Sequence, residues 1–308
     1  MCRRNQSILE IVMKISILGT NGFLSTEIAE YAIAKGWTLE MYGLEEPKSH
    51  NCDKFHHVNL MDSDLDCSSL LDSDMIVYAI GAGIQANLKE GYNLIYNLNV
   101  TVPVTICNKL KELSYHGCFA TFGSVFEIGA TKEERFFTED DVLTSVCEAP
   151  NDYTVSKRML SRFVSSYKHD FTHWHFYIPT IYGAGENPKR LIPYVVNSIR
   201  QGEELHFTVG DQVRQYVHVS EVPRILGMAM EKQLPSGLYN IQGCETLTVK
   251  EIVTKIHHVM GKEVPAGCFG SVKRADVGMK YLALDGTKLK DAIGFEAEKC
   301  IEESLKEY

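Results

Sequence analysis

The feature of this 308-residue chain that most restricts its fold is an alternation beginning at Lys14. Short, nearly continuous apolar runs predict strands at Lys14–Leu18, Thr38–Tyr42, His56–Val58, Asp74–Ile80, Phe119–Phe122, His175–Ile178 and Leu238–Ile241. Runs of this kind suit strands buried on both faces. Between them, 3.6-residue periodicity predicts helices at Thr26–Lys35, Tyr92–Leu113 and Tyr153–Tyr167. Strand and helix in turn imply a parallel, doubly wound α/β sheet. No apolar run approaches the ~18 residues of a membrane-spanning helix. Forty acidic against 31 basic residues give a net charge of −9, so the chain carries no nucleic-acid footprint.

The first strand, KISIL, runs into Gly19-Thr20-Asn21-Gly22-Phe23-Leu24-Ser25 and then a helix. A Gly-x-x-Gly turn at a strand-to-helix junction lets backbone approach a pyrophosphate, and the helix start offers unpaired N–H groups to it. An ordinary tight turn reads equally from these residues alone. Gly19, Asn21, Gly22, Phe23 and Leu24 are the cofactor-binding candidates here, with Ser25 replacing the usual third glycine. The next strand should end in an acidic residue if it grips an adenosine ribose. That position is Gly43, and no Arg or Lys stands ready for a 2′-phosphate. The balance favours NAD and leaves NADP open. Asn59 and Leu60 are candidates for the adenine edge, since an amide both donates and accepts.

These signals give a Rossmann-type dinucleotide-binding domain over 14–182. After Tyr182 the run GAGENPKRLIP changes the texture. A smaller substrate-binding lobe is expected mainly over 183–308, with 216–242 returning to the first domain. Residues 1–13 read as an N-terminal extension. Glu10 interrupts its apolar patch and no small-residue cleavage site follows, so it is not read as a signal peptide. Nine scattered cysteines with no CxxC pair argue against structural zinc and are read as reduced, mostly buried thiols of a cytoplasmic protein. His56-His57 and His257-His258 are adjacent and point apart. His173 and His175 could share a strand face, but without an evident third ligand. No metal site is expected.

Tyr153-Thr154-Val155-Ser156-Lys157 opens a helical stretch. A spacing of four puts phenol and ammonium on one helix face. A phenol ordinarily ionises near about 10; a neighbouring cation favours phenolate, so Tyr153 could exchange a proton with a hydroxyl near neutral pH. Ser124, after the strand CFATF, could bond the same oxygen, with Thr121 as the alternative hydroxyl.

Taken together, GTNGFLS, YNLNV around Asn99, the Ser124 run, YTVSK, HFYIPTIYGAG and GDQVRQYVHVSEV resemble the extended short-chain dehydrogenase/reductase family of nucleotide-sugar epimerases, dehydratases and ketoreductases. The resemblance covers about residues 14–295. It implies Ser124, Tyr153 and Lys157 as catalytic residues, with Tyr153, Lys157 and Asn99 also touching the cofactor. It implies Thr180, Arg214 and Arg274 as contacts to a nucleotide diphosphate-sugar, and a homodimer through 92–113 and 153–167. Lys189 and Arg190 are read as a solvated pair on a loop. Dehydrating members of the family carry Asp-Glu directly after the hydroxyl residue, and decarboxylating members Ser-Glu. Here Val125-Phe126 stands there. The expectation is therefore 4-epimerisation or ketone reduction.

Overall fold

A computed structural model describes residues 12–62, 65–84, 89–272 and 279–308. Seven parallel strands form the main sheet: β1 (Lys14–Leu18), β2 (Thr38–Gly43), β3 (Lys54–His57), β4 (Met75–Tyr78), β5 (Cys118–Ser124), β6 (Thr172–Ile178) and β9 (Gly237–Asn240). Their order is β3-β2-β1-β4-β5-β6-β9. Order reverses between β1 and β4, which opens a crevice at the strands' carboxyl ends.

Both faces of the sheet are covered, which is why its strands lack polar alternation. Ile15, Ile17, Met75, Val77, Ala120 and Phe122 face one way, onto helices α1 (Phe23–Ala34) and α7 (Glu221–Glu231). Leu18, Ile76, Tyr78 and Phe119 face the other, onto α3 (Val102–Glu112). Helix α5 (Asp152–Ser166) lies on that second side with Leu160 and Val164 against Tyr177. The helix predicted over 92–113 is broken. It runs as α2 (Tyr92–Tyr96), a π-turn at Asn97–Thr101, and α3, which carries Pro103 at its start. Proline supplies no N–H at that point.

A second sheet is built from β7 (Thr180–Tyr182), β8 (Val213–His218), β10 (Glu245–Thr248) and β11 (Tyr281–Leu282), with β8 at its centre. Helices α6 (Leu191–Gln201) and α8 (Val249–Val259) pack on it. The strand path thus puts 180–182 and 213–218 in the smaller sheet, while α7 and β9 belong with the larger. Helix α9 (Thr287–Ile293) also returns: Leu289, Ile293 and Phe295 lie in the core of the large sheet. No helix among the described residues is long and apolar enough to cross a membrane.

The reading of all cysteines as free thiols is corrected. Cys244 and Cys300, 56 residues apart, form a disulfide, a proximity created by the fold and not legible in spacing. Cys52, Cys67, Cys107, Cys118, Cys147 and Cys268 are free. Burial pushes the Cys67 and Cys118 thiols up to about 11 and Cys107 to about 12, which keeps them protonated and inert.

Candidate active site

The turn after β1 is shaped for close approach. Gly19 sits at φ +110°, and a Cβ there would meet Ile80 Cγ1 at 3.0 Å, so only glycine fits without strain. Gly22 is the N-cap of the twelve-residue α1, and no acidic residue occupies its first turn. The exposed N–H groups and the positive helix end are left for an anion. A turn packed this closely on Ala79 and Ile80, with the α1 start beside it, fits a dinucleotide pyrophosphate. Ser25 is fully buried; its Oγ accepts from Gly22 N and donates to Gly22 O, both at 3.0 Å. The serine therefore closes the turn where a third glycine would only pack.

Other residues read as cofactor contacts have structural partners. The Asn21 amide donates to Glu46 O at 3.1 Å and accepts from Lys48 N at 3.0 Å, tying the loop after β2 to the turn. Asn59 accepts from Met61 N and donates to Asp62, and Leu60 is buried in the core beside α3. Asn99 is 1% exposed. It accepts from Ala82 N and donates to Ala82 O and Ser156 Oγ, each at 2.9 Å. Its amide thus fixes the chain leaving β4 against α5. At Gly43 a Cβ would come within 2.9 Å of the Thr20 side chain, which explains why no acidic residue stands at this strand end.

Ser124, Tyr153 and Lys157 come together. With Gly22, Phe23, Leu24 and Thr180 they line one cleft of about 300 Å³ at the carboxyl edge of the main sheet. Asn151 caps α5 by accepting from Thr154 N at 2.9 Å, which starts the helix so that Tyr153 and Lys157 share its sheet-side face. Lys157 is 6% exposed; its Nζ donates to Phe122 O at 2.8 Å and sits 5.9 Å from the centre of the Tyr153 ring. Ser124 ends β5, and its Oγ accepts from Phe126 N at 3.2 Å. The alternative hydroxyl, Thr121, faces away from the cleft and bonds His173 and His175.

The acidity of Tyr153 differs from the expectation. Burial pushes its phenol up to about 12, against a lowering hydrogen bond from Ser124. Nearby Glu127 raises it further and Arg190 lowers it. Lys157 is itself shifted down by burial, offset by Glu127. Without a bound cation the phenol is held protonated.

The far wall of the cleft corrects another reading. Arg190 is not a solvated loop charge: it lines the cleft with Glu186 and Asn187, and its Nε bonds Glu186 Oε1 at 2.8 Å. Burial raises the Glu186 carboxyl to about 7. Arg214, on β8, is half-buried and donates to Val213 O at 2.8 Å; it does not line this cleft. Burial raises the Tyr216 phenol, and Arg214 and Arg190 both oppose that shift. Arg274 lies outside the described residues.

His173 and His175 do share a strand face, bridged by Thr121. Cys107, His169 and His173 each bring one potential ligand atom within 4.8 Å of the others, a grouping that sequence spacing did not suggest.

A doubly wound sheet with a phosphate-shaped turn, a second lobe and a Ser/Tyr/Lys cleft defines a dinucleotide-binding protein of the short-chain dehydrogenase/reductase class. The chain belongs to the NAD dependent epimerase/dehydratase family, whose model matches residues 15–241. It is similar to CDP-abequose synthase of Salmonella muenchen, 22% identical over 97% of this chain and 98% of that protein. Among solved structures, UDP-glucose 4-epimerase of Thermotoga maritima with UDP-glucose superposes with a TM-score of 0.80, at 19% identity, covering 96% of each chain. The dTDP-glucose 4,6-dehydratase of Bacillus anthracis in complex with NAD superposes with a TM-score of 0.79, at 19% identity, covering 96% of this chain and 95% of that one.

Proposed function

We propose that the chain binds NAD or NADP and catalyses reversible hydride transfer at a carbinol carbon of a nucleotide diphosphate-sugar, as a 4-epimerase or a 4-ketoreductase. The observation that carries this is the convergence of Ser124, Tyr153 and Lys157 with Gly22–Leu24 in one cleft. The position after Ser124 supports hydride chemistry over elimination: Val125 is buried and Phe126 turns to the cleft, and neither can move a proton.

In this reading the α1 N-terminus and the Gly19–Gly22 turn hold the pyrophosphate. When bound, the nicotinamide accepts or supplies the hydride, and its positive oxidised ring draws the Tyr153 phenol toward ionisation. Tyr153 Oη takes the proton of the sugar hydroxyl in oxidation and returns it in reduction. Ser124 Oγ holds the same oxygen as charge develops on it. Lys157, anchored on Phe122 O, keeps positive charge beside the phenol and reaches toward the ribose. Arg190, positioned by Glu186 on the other wall, and Arg214, outside the cleft on β8, are the candidates for the diphosphate, where a guanidinium can bond in bidentate fashion. Gly43 and the absence of a free cation at the turn favour NAD.

Nucleotide released from the denatured protein, identified by mass and absorbance, tests the reading. Retained NAD⁺ marks the epimerase, which recycles its cofactor; a site that fills only with added NAD(P)H marks the reductase. Gly19→Ala is expected to lower dinucleotide affinity at least tenfold, since it strains the turn and drives a methyl against Ile80, which shifts the cradle's backbone. Fluorescence titration checks this, and unchanged affinity would remove the turn from the site. We further propose a homodimer through the stretches 92–113 and 153–167, which expose Tyr92 on α2 and Met159 on α5 at 64% and 47%. Sedimentation should give about twice the 34.7 kDa chain mass, and Met159→Arg should shift the equilibrium toward monomer.

A further inference from the structure

Glu127 is a carboxylate with no exposure at all, three residues past Ser124. Burying a charge costs several kcal/mol unless partners compensate, and here a site has been built for it. Ser124 N donates to its Oε1 at 2.8 Å and Ser161 Oγ to its Oε2 at 2.6 Å. A Cβ on Gly123 would lie 2.7 Å from Glu127 Oε1 and 2.7 Å from His175 Nε2. Glycine at 123 is what leaves room for the carboxylate over the strand.

From this carboxylate a continuous chain of buried hydrogen bonds crosses the α5 face of the sheet. Ser161 Oγ meets His175 Nε2 at 2.9 Å, His175 Nδ1 meets Thr121 Oγ1 at 2.8 Å, and Thr121 Oγ1 meets His173 Nε2 at 3.0 Å. From His173 to Tyr177 the strand covers about 13 Å. His173 lines a cleft of about 800 Å³ with His169, Asp170 and Ser236. His169 and Asp170 precede β6, His173 is its second residue and Ser236 precedes β9, so this cleft opens at the amino ends of the strands, opposite the candidate active site.

The charge on Glu127 fixes every proton along the chain. Against a carboxylate, Ser161 must donate to Glu127 and so accepts from His175 Nε2–H. Burial holds both imidazoles neutral, so His175 Nδ1 accepts from Thr121 Oγ1–H, and Thr121 accepts from His173 Nε2–H. Against a protonated Glu127 every bond runs the other way, and both imidazoles carry hydrogen on Nδ1. One proton taken up at His173 Nδ1, whose neighbour is the Cys107 thiol at 3.9 Å, and one hydrogen passed along at each link convert the first arrangement into the second, the thiol turning from donor to acceptor; no atom or charge is left over.

We propose that this chain is a proton relay that sets the charge of Glu127 from the amino-end cleft, and that Glu127 is a positioning residue whose charge balances Lys157 and Tyr153. The second half of the proposal rests on the catalytic reading above; the relay itself does not. The groups that face Glu127 are few. From α5 come Tyr153, Lys157 and Arg158, the last donating from Nε to the Glu127 carbonyl at 2.7 Å. From β6 come His175 and Tyr177. On the adjoining helix α4 (Glu139–Thr144), Glu139 turns to Asn240 N, Asp140 lines the amino-end cleft and Asp141 pairs with Arg135. A charged Glu127 favours the Lys157 ammonium and opposes a Tyr153 phenolate. Protonating it eases phenolate formation at the moment Tyr153 has given its proton to substrate.

The test uses the full chain, ligand-free, with ¹⁵N-labelled histidine and long-range ¹H–¹⁵N spectra from mildly acidic to mildly alkaline pH. Expected is a concerted tautomer switch: hydrogen on Nε2 of both His173 and His175 at high pH, on Nδ1 of both at low pH, with one common midpoint. Glu127→Gln should abolish the switch, and Thr121→Val should uncouple His173 while His175 still switches. A ring that keeps one tautomer throughout, or a switch that survives Glu127→Gln, overturns the relay. Glu127→Gln should also move the alkaline limb of kcat/KM to lower pH. A switch without any such movement would sink the positioning role, and absence of turnover in the unaltered chain would sink the catalytic reading and leave the relay standing.

Discussion

Tyr153→Phe is expected to lower kcat by about 10²–10⁴-fold, the usual worth of a positioned general acid–base, while dinucleotide affinity stays within a few-fold. The substitution removes one oxygen from a ring that is held in place by other contacts. Phe126 packs edge-on against it, ring centres 6.4 Å apart, and Lys157 stays anchored on Phe122 O. Geometry should therefore survive and proton transfer should not. Single-turnover absorbance of the nicotinamide separates the two: binding unchanged, hydride transfer slowed. A variant with wild-type hydride transfer would remove Tyr153 from the chemistry altogether. Because burial, with Glu127 adding to it and Ser124 and Arg190 opposing, holds this phenol up at about 12, the unaltered protein should show an ionisation nearer neutrality only when oxidised cofactor is bound.

Lys157→Met should destabilise the fold by about 3 kcal/mol at mildly alkaline pH, the lower end for stranding a buried charge, and much less in acid. The sign follows from Glu127. Its folded-state acidity is already weakened by burial, and Lys157 is one of the charges opposing that shift. Without the ammonium the folded carboxyl rises further above its unfolded value of about 4.3. Between those two values the folded state binds more protons than the unfolded one, so stability falls as pH increases. Below the unfolded value both states are protonated and the deficit closes. Methionine also relieves the cost of burying the ammonium, which is least offset in acid, where Glu127 is neutral, so the deficit narrows further there. Urea unfolding at two pH values reads this directly. Adding Glu127→Gln should restore most of the loss at the higher pH; a deficit that is equal at both pH values and survives the second change would show that the two groups do not interact.

The sheet was legible because its strands are buried on both sides. Met75 to Tyr78 face two cores in turn, and no polar residue interrupts them. Tyr153, Lys157 and Ser124 were legible because each sits in a local motif with a stated chemical use. What was missed depends on distant partners. Arg190 reads as a surface charge until the fold brings Glu186 and Tyr216 around it. Glu127 looks like an ordinary residue of a turn, and only Gly123, Ser161 and His175 reveal the pocket made for it. Asn99 and Asn21 also carry structural bonds that the sequence does not announce, their amides held by backbone groups from other segments. Gly43 is an absence in the sequence and a steric requirement in the structure, set by Thr20. The disulfide joins residues that no spacing rule links.

The way the chain weaves between its two sheets bears on how such a protein can be altered. Strands β7 and β8 build the small sheet before β10 and β11 arrive, and α9 comes back afterwards against β9, so that Leu289, Ile293 and, just beyond the helix, Phe295 join the core of the first sheet. No single cut therefore yields two self-sufficient bodies. Ending the chain near 242 would strip β10 and β11 from β8, leaving it the three-residue β7 as partner, and open a hole under the first sheet. Exchanging sugar preference with a relative by swapping one terminal block would fail for the same reason; the graft would have to carry several separated segments at once, each with its counterpart.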